Sequence, residues 1–418
     1  MESVDRALLV AVDAREDREA EANLEELRLL SESAGAVVVD EMRVRRSRPD
    51  PRLLIGRGNA EEAFLRVQDT GASLVILGED LSPTQQRNLE DAAGVRVVDR
   101  TQLILDIFAQ RARTSEGKLQ VELAQLEYLL PRLTGKGTEM SRLGGASAGG
   151  VATRGPGETK LETDRRRVRK RISVLKRELE DVVKHRGVQN RSRRELLIPS
   201  AALVGYTSSG KSTLLNLLTG AGVPAHERLF ETLDPTTRRV DLEGGVSFLL
   251  SDTVGFIRRL PHHLVAAFRA TLEEVLDADF LIHVVDASHE FAEHQRAAVS
   301  DVLGELGARD RPTITVFNKS DLVSDQYELR RMVAQTPDSC YVSALTGDGR
   351  AYLDVLLRSM ISRLMNLVKA TIPYDRGDLL AMCHERGRVT RTDYLPDGVY
   401  VEVELTPDLA SRLSEFSQ

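Results

Sequence analysis

The chain is 418 residues long, enough for two to four domains of ordinary size, and its 41% hydrophobic content can fill their cores. A formal charge of −7 excludes a uniformly basic polyanion binder, and 4% aromatics with no Trp argue against a base-stacking platform. Two cysteines make no disulfide framework, the start is not signal-like, and no apolar run approaches about 18 residues. The expectation is a reduced, cytoplasmic protein with no stable membrane insertion and at most peripheral membrane association.

Residues 1–100 alternate short apolar runs with helical stretches. The runs are Ala7–Val12, Ala36–Val39, Ser73–Leu77 and Val95–Val98, and between them lie Ala20–Leu30, Ala60–Val67 and Pro83–Ala92. This order predicts an N-terminal α/β domain with a parallel sheet. It has no G-x-G-x-x-G fingerprint, so no second nucleotide site is read there.

Residues 101–196 read as a helical hairpin. One long helix is expected from 101 to about 132, with Leu119, Leu123, Leu126 and Leu130 on one stripe; a second starts near Thr159 with a Thr159-x-x-Glu162 capping box. Its apolar positions Val168, Ile172, Leu175 and Leu179 repeat at coiled-coil spacing, which predicts an antiparallel pair or, equally, a stripe inside a bundle. The loop between them, 135–157, is rich in glycine and carries Arg142 and Arg154. Residues 131–200 hold 18 Lys+Arg against 8 Asp+Glu, a local +10 that leaves −17 on the rest of the chain. Such segregation points to a polyanion, although a charge run can also be a solvated helix face. The glycine–arginine loop favours RNA, with Arg142, Arg154, Arg165, Arg166 and Arg167 as the candidate contacts.

Residues 197–370 carry the chemistry. The apolar run Ala201–Val204 is followed by Gly205-Tyr206-Thr207-Ser208-Ser209-Gly210-Lys211-Ser212-Thr213 and then by Leu214–Leu218. This is G-x-x-x-x-G-K-[ST] between a strand and a helix, the setting in which backbone amides and a helix start cradle phosphates. Lys211 can reach the β- and γ-phosphates, and Ser212 can hold Mg²⁺. A switch segment follows, Phe230-Glu231-Thr232-Leu233-Asp234, with Thr236 and Thr237 beyond Pro235 expected in a turn. A Thr hydroxyl there can complete the metal's coordination only while the γ-phosphate is present. The strand Val246–Leu250 then delivers Asp252-Thr253-Val254-Gly255, with Asp252 placed to hold Mg²⁺ through water and the Gly255 amide open to the γ-phosphate.

After the strand Thr313–Phe317 comes Asn318-Lys319-Ser320-Asp321, which resembles the guanine-reading motif of GTPases. Its Asp accepts from guanine N1–H and the 2-amino group, a pair that adenine lacks. Ser343-Ala344-Leu345, which ends one more strand, resembles the S-A-x motif of GTPases, and the resemblance implies backbone amides near guanine O6. Together these motifs predict a P-loop GTPase domain with a mostly parallel sheet and helices on both faces. Residues 371–418 read as a small C-terminal α+β domain. His289, Glu290, Glu293 and His294 have helical spacing that imitates a zinc cluster, but a solvated helix is the better reading. The pair His262-His263 reads as capping or exposure.

The run Leu103–Ala109 with Glu116–Leu126, Ser141-Arg142, Thr153–Arg166, Phe230–Thr237 and Pro373-Tyr374-Asp375-Arg376-Gly377 resembles the HflX family of GTPases over nearly the whole chain. The resemblance implies GTP/GDP as ligand, Mg²⁺ held by Ser212, Thr232 and Asp252, and catalysis resting on Lys211, Thr232 and Gly255. Aligning Phe230-x-Thr232-Leu233 with the related Obg-like pattern is what selects Thr232 as the switch threonine. The implied partner is the large (50S) ribosomal subunit and its rRNA, and the implied role is splitting or rescue of stalled ribosomes under stress. The free protein is expected to be monomeric. A switch acting on a protein partner, or on non-ribosomal RNA, remains the alternative.

Two features depart from the family. Ser208-Ser209 stand where Asn-Ala is usual, and an Asn there can help hold a monovalent cation, so potassium activation is not carried over. The glycine loop is a few residues longer, through Ala146-Ser147-Ala148. Phe256 follows Gly255 where Ras-like enzymes place a water-orienting Gln. Phe cannot orient water, so intrinsic hydrolysis is expected to be slow; alternatively it is a core residue and the water is positioned elsewhere.

Overall fold

The computed structural model describes residues 5–13, 20–46, 48–133, 160–195, 198–220, 229–230, 236–243, 245–257, 274–405 and 407–417. The chain divides into two compact units, with a break between Val182 and Val183.

The first unit opens with strands β1 (Arg6–Asp13), β2 (Val37–Arg45), β3 (Leu74–Leu77) and β4 (Arg96–Val98) in the order β2-β1-β3-β4, all parallel. Helices α1 (Ala20–Ser33), α2 (Arg57–Thr70) and α3 (Pro83–Ala93) alternate with them. The almost continuous burial of β1 is what a parallel strand covered on both faces requires. Helix α3 starts where Ser82 accepts from the Gln85 amide, Gln85 reciprocates, and Pro83 fills the first turn.

The long helix expected from 101 to 132 is instead two, α4 (Arg100–Arg111) and α5 (Ser115–Leu129). Ala112 leaves the helix with ψ 111°, and the Thr114 side chain caps the next one by accepting from Gly117 N–H. Period alone missed this break, because the capping threonine sits inside a stretch otherwise apolar enough to read through.

Helix α6 (Lys160–Glu195) runs back along α5. Arg165, near its start, donates to the carbonyl of Leu133 beyond the end of α5, whereas Arg171 pairs with Glu122 well before it. Leu123, Ile172 and Leu175 are buried in the seam, with Leu119, Leu126, Leu130, Val168 and Leu179 packed against them. The stripes therefore form an antiparallel pair. The loop 135–157, with Arg142 and Arg154, lies outside the described residues, as does Thr159.

The second unit holds a six-stranded sheet in the order β10-β9-β8-β5-β7-β6. Its strands are β5 (Ser200–Gly205), β6 (Thr236–Asp241), β7 (Ser247–Asp252), β8 (Phe280–Asp286), β9 (Thr313–Asn318) and β10 (Ser339–Tyr341). All neighbours are parallel except the edge strand β6, which pairs antiparallel with β7. Thr236 and Thr237 are thus not in a turn: they open β6, where Thr237 Oγ1 lies 2.8 Å from Ser251 Oγ. A polar TTRR sequence suits an edge strand, whose outer face meets water.

Helices cover both sheet faces. On one, Leu214, Leu215 and Leu218 of α7 (Lys211–Thr219) and Leu353, Leu357 and Met360 of α10 (Arg350–Leu364) bury Ile282, Val284 and Val316. On the other, Val285 and Phe317 pack with Ala292 of α8 (Ala292–Leu306) and Leu329 of α9 (Gln326–Gln335).

The chain ends in a three-stranded antiparallel sheet, order β11-β13-β12, from β11 (Asn366–Ile372), β12 (Arg388–Leu395) and β13 (Gly398–Leu405). Val399, Val401, Val403 and Leu405 turn inward onto α11 (Gly377–Arg386) and α12 (Pro407–Arg412). Strand β11 begins five residues before the expected boundary at 371, since Asn366-Leu367-Val368 pairs with β13.

Candidate functional site

The predicted motifs meet at the carboxyl ends of β5, β7, β9 and β10, where parallel α/β sheets place ligands. Strand β5 ends at Gly205, the loop Tyr206–Gly210 follows, and α7 begins at Lys211. Gly210 has φ 93°, and a Cβ there would collide with Asn318 Nδ2, so both conformation and space require glycine. Ser208 takes φ 58° without being glycine and is exposed, whereas Thr207 and Ser209 are buried. Thr213 is half-buried in the first turn of α7.

Lys211 curls back over its own loop. Its Nζ donates to the carbonyls of Gly205 at 3.1 Å and Tyr206 at 2.8 Å. Burial pushes the ammonium down to about 8, while Asp252 opposes the shift. Beneath the loop, His283 of β8 is driven down to about 3 by burial, then by Arg296 and Lys211, so it is neutral and adds no second positive charge.

Ser212 Oγ donates to Asp252 Oδ2 at 3.0 Å, and Asp252 is 1% exposed. A hydroxyl and a carboxylate meeting beside a phosphate loop are the hard oxygen donors that suit Mg²⁺. Thr253 is fully buried and donates to Leu203 O, which pins the D-x-x-G turn against β5. Val254 is buried, and Gly255 packs against Thr207 and Lys211. Phe256 is 2% exposed, and its backbone is bonded to the loop: its N–H donates to Gly205 O at 3.0 Å and its carbonyl accepts from Thr207 N–H at 2.7 Å. Of the two readings of Phe256, the structure supports the core residue, and its side chain brings no polar atom to the site.

Asn318 joins the two halves of the site. Its Nδ2 donates to Ser209 O at 2.8 Å and its Oδ1 accepts from Ala344 N–H at 2.9 Å. Lys319 sits at φ 59° and pairs with Asp286 at 2.7 Å. Ser320 is buried, and Asp321 is exposed in the short 3₁₀ turn Ser320–Leu322 that follows β9. Ser343 is fully buried, its Oγ accepting from Thr346 N–H, while Leu345 is 81% exposed beside it. Asp286 was missed by the sequence reading, although an apolar strand ending in Asp, as at Asp252, was the available signal.

Phe230 is buried at φ 55°. Glu231, Thr232, Leu233 and Asp234 lie outside the described residues, as do His262 and His263. His289 is not on a helix: its Nδ1 accepts from Phe291 N–H in a turn, and α8 starts at Ala292. Among the described residues no His/Cys/Asp/Glu cluster could hold a metal, and no helix is long and apolar enough to cross a membrane. On α6, Arg166 and Arg167 are exposed, and Arg165 is half-buried against Leu133.

Comparison with known proteins agrees with this arrangement. Residues 21–109 match the family described as GTP-binding GTPase N-terminal, 111–193 the GTP-binding GTPase middle region, and 200–319 the 50S ribosome-binding GTPase family. The chain is 44% identical to GTPase HflX of Lacrimispora saccharolytica over 411 residues, covering 98% of this chain and 96% of that protein. It is 45% identical to GTPase HflX of Caldanaerobacter subterraneus subsp. tengcongensis, covering 99% and 94%. With GTPase HflX of Escherichia coli the identity is 43%, covering 94% and 92%. A strand–loop–helix phosphate loop after β5, an N-K-x-D motif after β9 in the same sheet and full-length likeness to these GTPases lead to one conclusion: the chain belongs to the HflX family and is a GTP hydrolase.

Proposed function

We propose that this GTPase binds the large (50S) ribosomal subunit and its rRNA in its GTP-bound state, and that it uses that state to split or rescue stalled ribosomes in the cytoplasm. The observation that carries this reading is a long basic helix, with Arg166, Arg167, Arg169 and Lys170 exposed, in the same chain as a guanine-nucleotide site. Arginine forks and close glycine backbone suit phosphates, and the charge segregation concentrates attraction there. The match to a family described as 50S ribosome-binding supports the choice of partner. A protein partner is the second reading, favoured by Arg171 and Lys176 being engaged within the hairpin by Glu122 and Glu127.

In the proposed site the loop amides of Ser208–Thr213 and the Lys211 ammonium neutralise the phosphates, and Gly255 N–H meets the γ-phosphate. Ser212 would hold Mg²⁺ directly, Asp252 through water, and Thr232 from the switch. Bound there, Mg²⁺ would offset negative charge on the β- and γ-oxygens. Asp321 selects guanine, and the Ser343–Leu345 segment lies at its O6 edge, with the Ser343 and Ala344 N–H groups already donating to Asp348 O and Asn318 Oδ1 and Leu345 N–H left to meet the base. Residues 1–100, 101–196 and 197–365 act as N-terminal, hairpin and GTPase domains, and the C-terminal domain starts at Asn366 rather than 371, because β11 belongs to its sheet.

Intrinsic turnover is slow in this reading because the switch is ordered only on the ribosome, which stimulates hydrolysis. Steady-state GTP hydrolysis with and without purified large subunits tests this. A rise of about 10³-fold or more is expected, by analogy with trans-acting stimulation of other GTPases. Equal rates would refute the stimulation.

A further inference from the structure

Hydrolysis at this site needs a group that orients the attacking water. Phe256 cannot serve, because its side chain is apolar and buried and its backbone N–H and C=O are both bonded to the loop. Thr207 is better placed. Its residue is 6% exposed, and its Oγ1 is buried with no hydrogen-bond partner among the described residues. A buried hydroxyl without a partner is costly unless a ligand or water supplies one.

Its surroundings say where that partner belongs. A Cβ added at Gly255 would lie 2.9 Å from Thr207 Cγ2 and 3.0 Å from Lys211 Nζ. The Thr207 methyl, the Gly255 backbone and the Lys211 ammonium therefore crowd one point, the end of the loop proposed to receive the terminal phosphate, and the Thr207 hydroxyl stands on the same Cβ as that methyl. The Thr207 amide is already committed to Phe256 O at 2.7 Å, so only the side chain is left to act. Ser209 Oγ is also buried and unpartnered among the described residues, but it lies against the end of β5, 3.0 Å from a Cβ added at Gly205.

We propose that Thr207 is a catalytic residue whose hydroxyl orients the attacking water. A hydroxyl can accept one hydrogen bond and donate another. Here Oγ1 accepts from the water and donates to a γ-phosphate oxygen. The water oxygen forms its bond to Pγ as the bond from Pγ to the β,γ-bridging oxygen breaks, and GDP leaves with that electron pair. The water proton passes to a γ-phosphate oxygen, giving inorganic phosphate, and the threonine ends as it began.

The inference rests on GTP hydrolysis by the unmodified protein, and an inactive wild type would undo that reading rather than this one. Thr207→Val removes the hydroxyl and keeps the shape; Thr207→Ser keeps the hydroxyl. Single-turnover hydrolysis of saturating GTP and calorimetric GDP affinity are measured for all three proteins. Thr207→Val should slow turnover by about 10²-fold, with GDP affinity within about twofold of wild type because GDP lacks the γ-phosphate. Thr207→Ser should recover most of that rate. Turnover of Thr207→Val within about twofold of wild type overturns the proposal. So does equal impairment of both variants, or a fall in GDP affinity matching the fall in rate, since either assigns the effect to loop packing.

Discussion

Asn318 Nδ2 lies 2.8 Å from the Ser209 carbonyl, so the N-K-x-D segment is tied to the phosphate loop by one buried side chain. The same amide accepts from Ala344 N–H, and Gly210 must lack a Cβ to let it approach. In the proposed site, base and phosphate recognition would share this single support.

Replacing Asn318 by Ala should weaken both ends of the site together. It removes two hydrogen bonds and strands a buried carbonyl and amide, a stability cost of about 2 kcal/mol or more, and the loss of preorganisation should weaken binding at both ends. Calorimetry with GDP and with guanosine alone checks this. Weakened phosphate binding with guanosine binding intact, or the reverse, would show that the two halves are independent.

Lys211 should make nucleotide binding pH-dependent. Burial lowers the ammonium to about 8, from an ordinary 10.5. Between those values the unfolded chain holds a proton that the folded, nucleotide-free protein has lost, so this group's contribution to stability rises with pH across that window. Phosphate favours the charged form, so binding near pH 8.5 should take up a fraction of a proton and weaken as pH rises further. Calorimetry in buffers of different ionisation enthalpy reads the uptake directly. Lys211→Ala should abolish it along with much of the phosphate affinity.

Most of this site was legible as sequence because its parts are local. A phosphate loop needs contiguous residues after a strand, and Ala201–Thr213 declares both. The seam of the hairpin was legible for the same reason: Val168, Ile172, Leu175 and Leu179 share one face through spacing alone. What escaped depends on interactions between distant segments. Nothing in Thr236–Asp241 marks an edge strand until Val246–Asp252 is beside it, and the pairing of Lys319 with Asp286 needs β8 and β9 in register. Bonding of the Phe256 backbone to Gly205 and Thr207 is likewise invisible in a D-x-x-G-F string.

Asp321 should set the choice of base. It is exposed on the strand-end turn that Lys319 holds through Asp286. Asp321→Asn replaces an acceptor by a group that donates, so preference should move from guanine to xanthine nucleotides, by about 10²-fold or more. Competition of GTP and xanthosine triphosphate for the variant measures it, and unchanged GTP preference would remove Asp321 from the base site.

The most direct test of the account is sedimentation of the purified protein with large ribosomal subunits across a salt series, in the presence of a non-hydrolysable GTP analogue, GDP or an ATP analogue. Wild type should comigrate with the subunit only with the GTP analogue. Arg166→Glu with Arg167→Glu should weaken that binding. It should also flatten the slope of log affinity against log salt, by about 0.7–0.9 for each rRNA phosphate that is no longer neutralised. Arg165 is left in place because it holds the hairpin through Leu133. Comigration indifferent to the nucleotide, or none with any of the three, would contradict a GTP-gated hold on the ribosome.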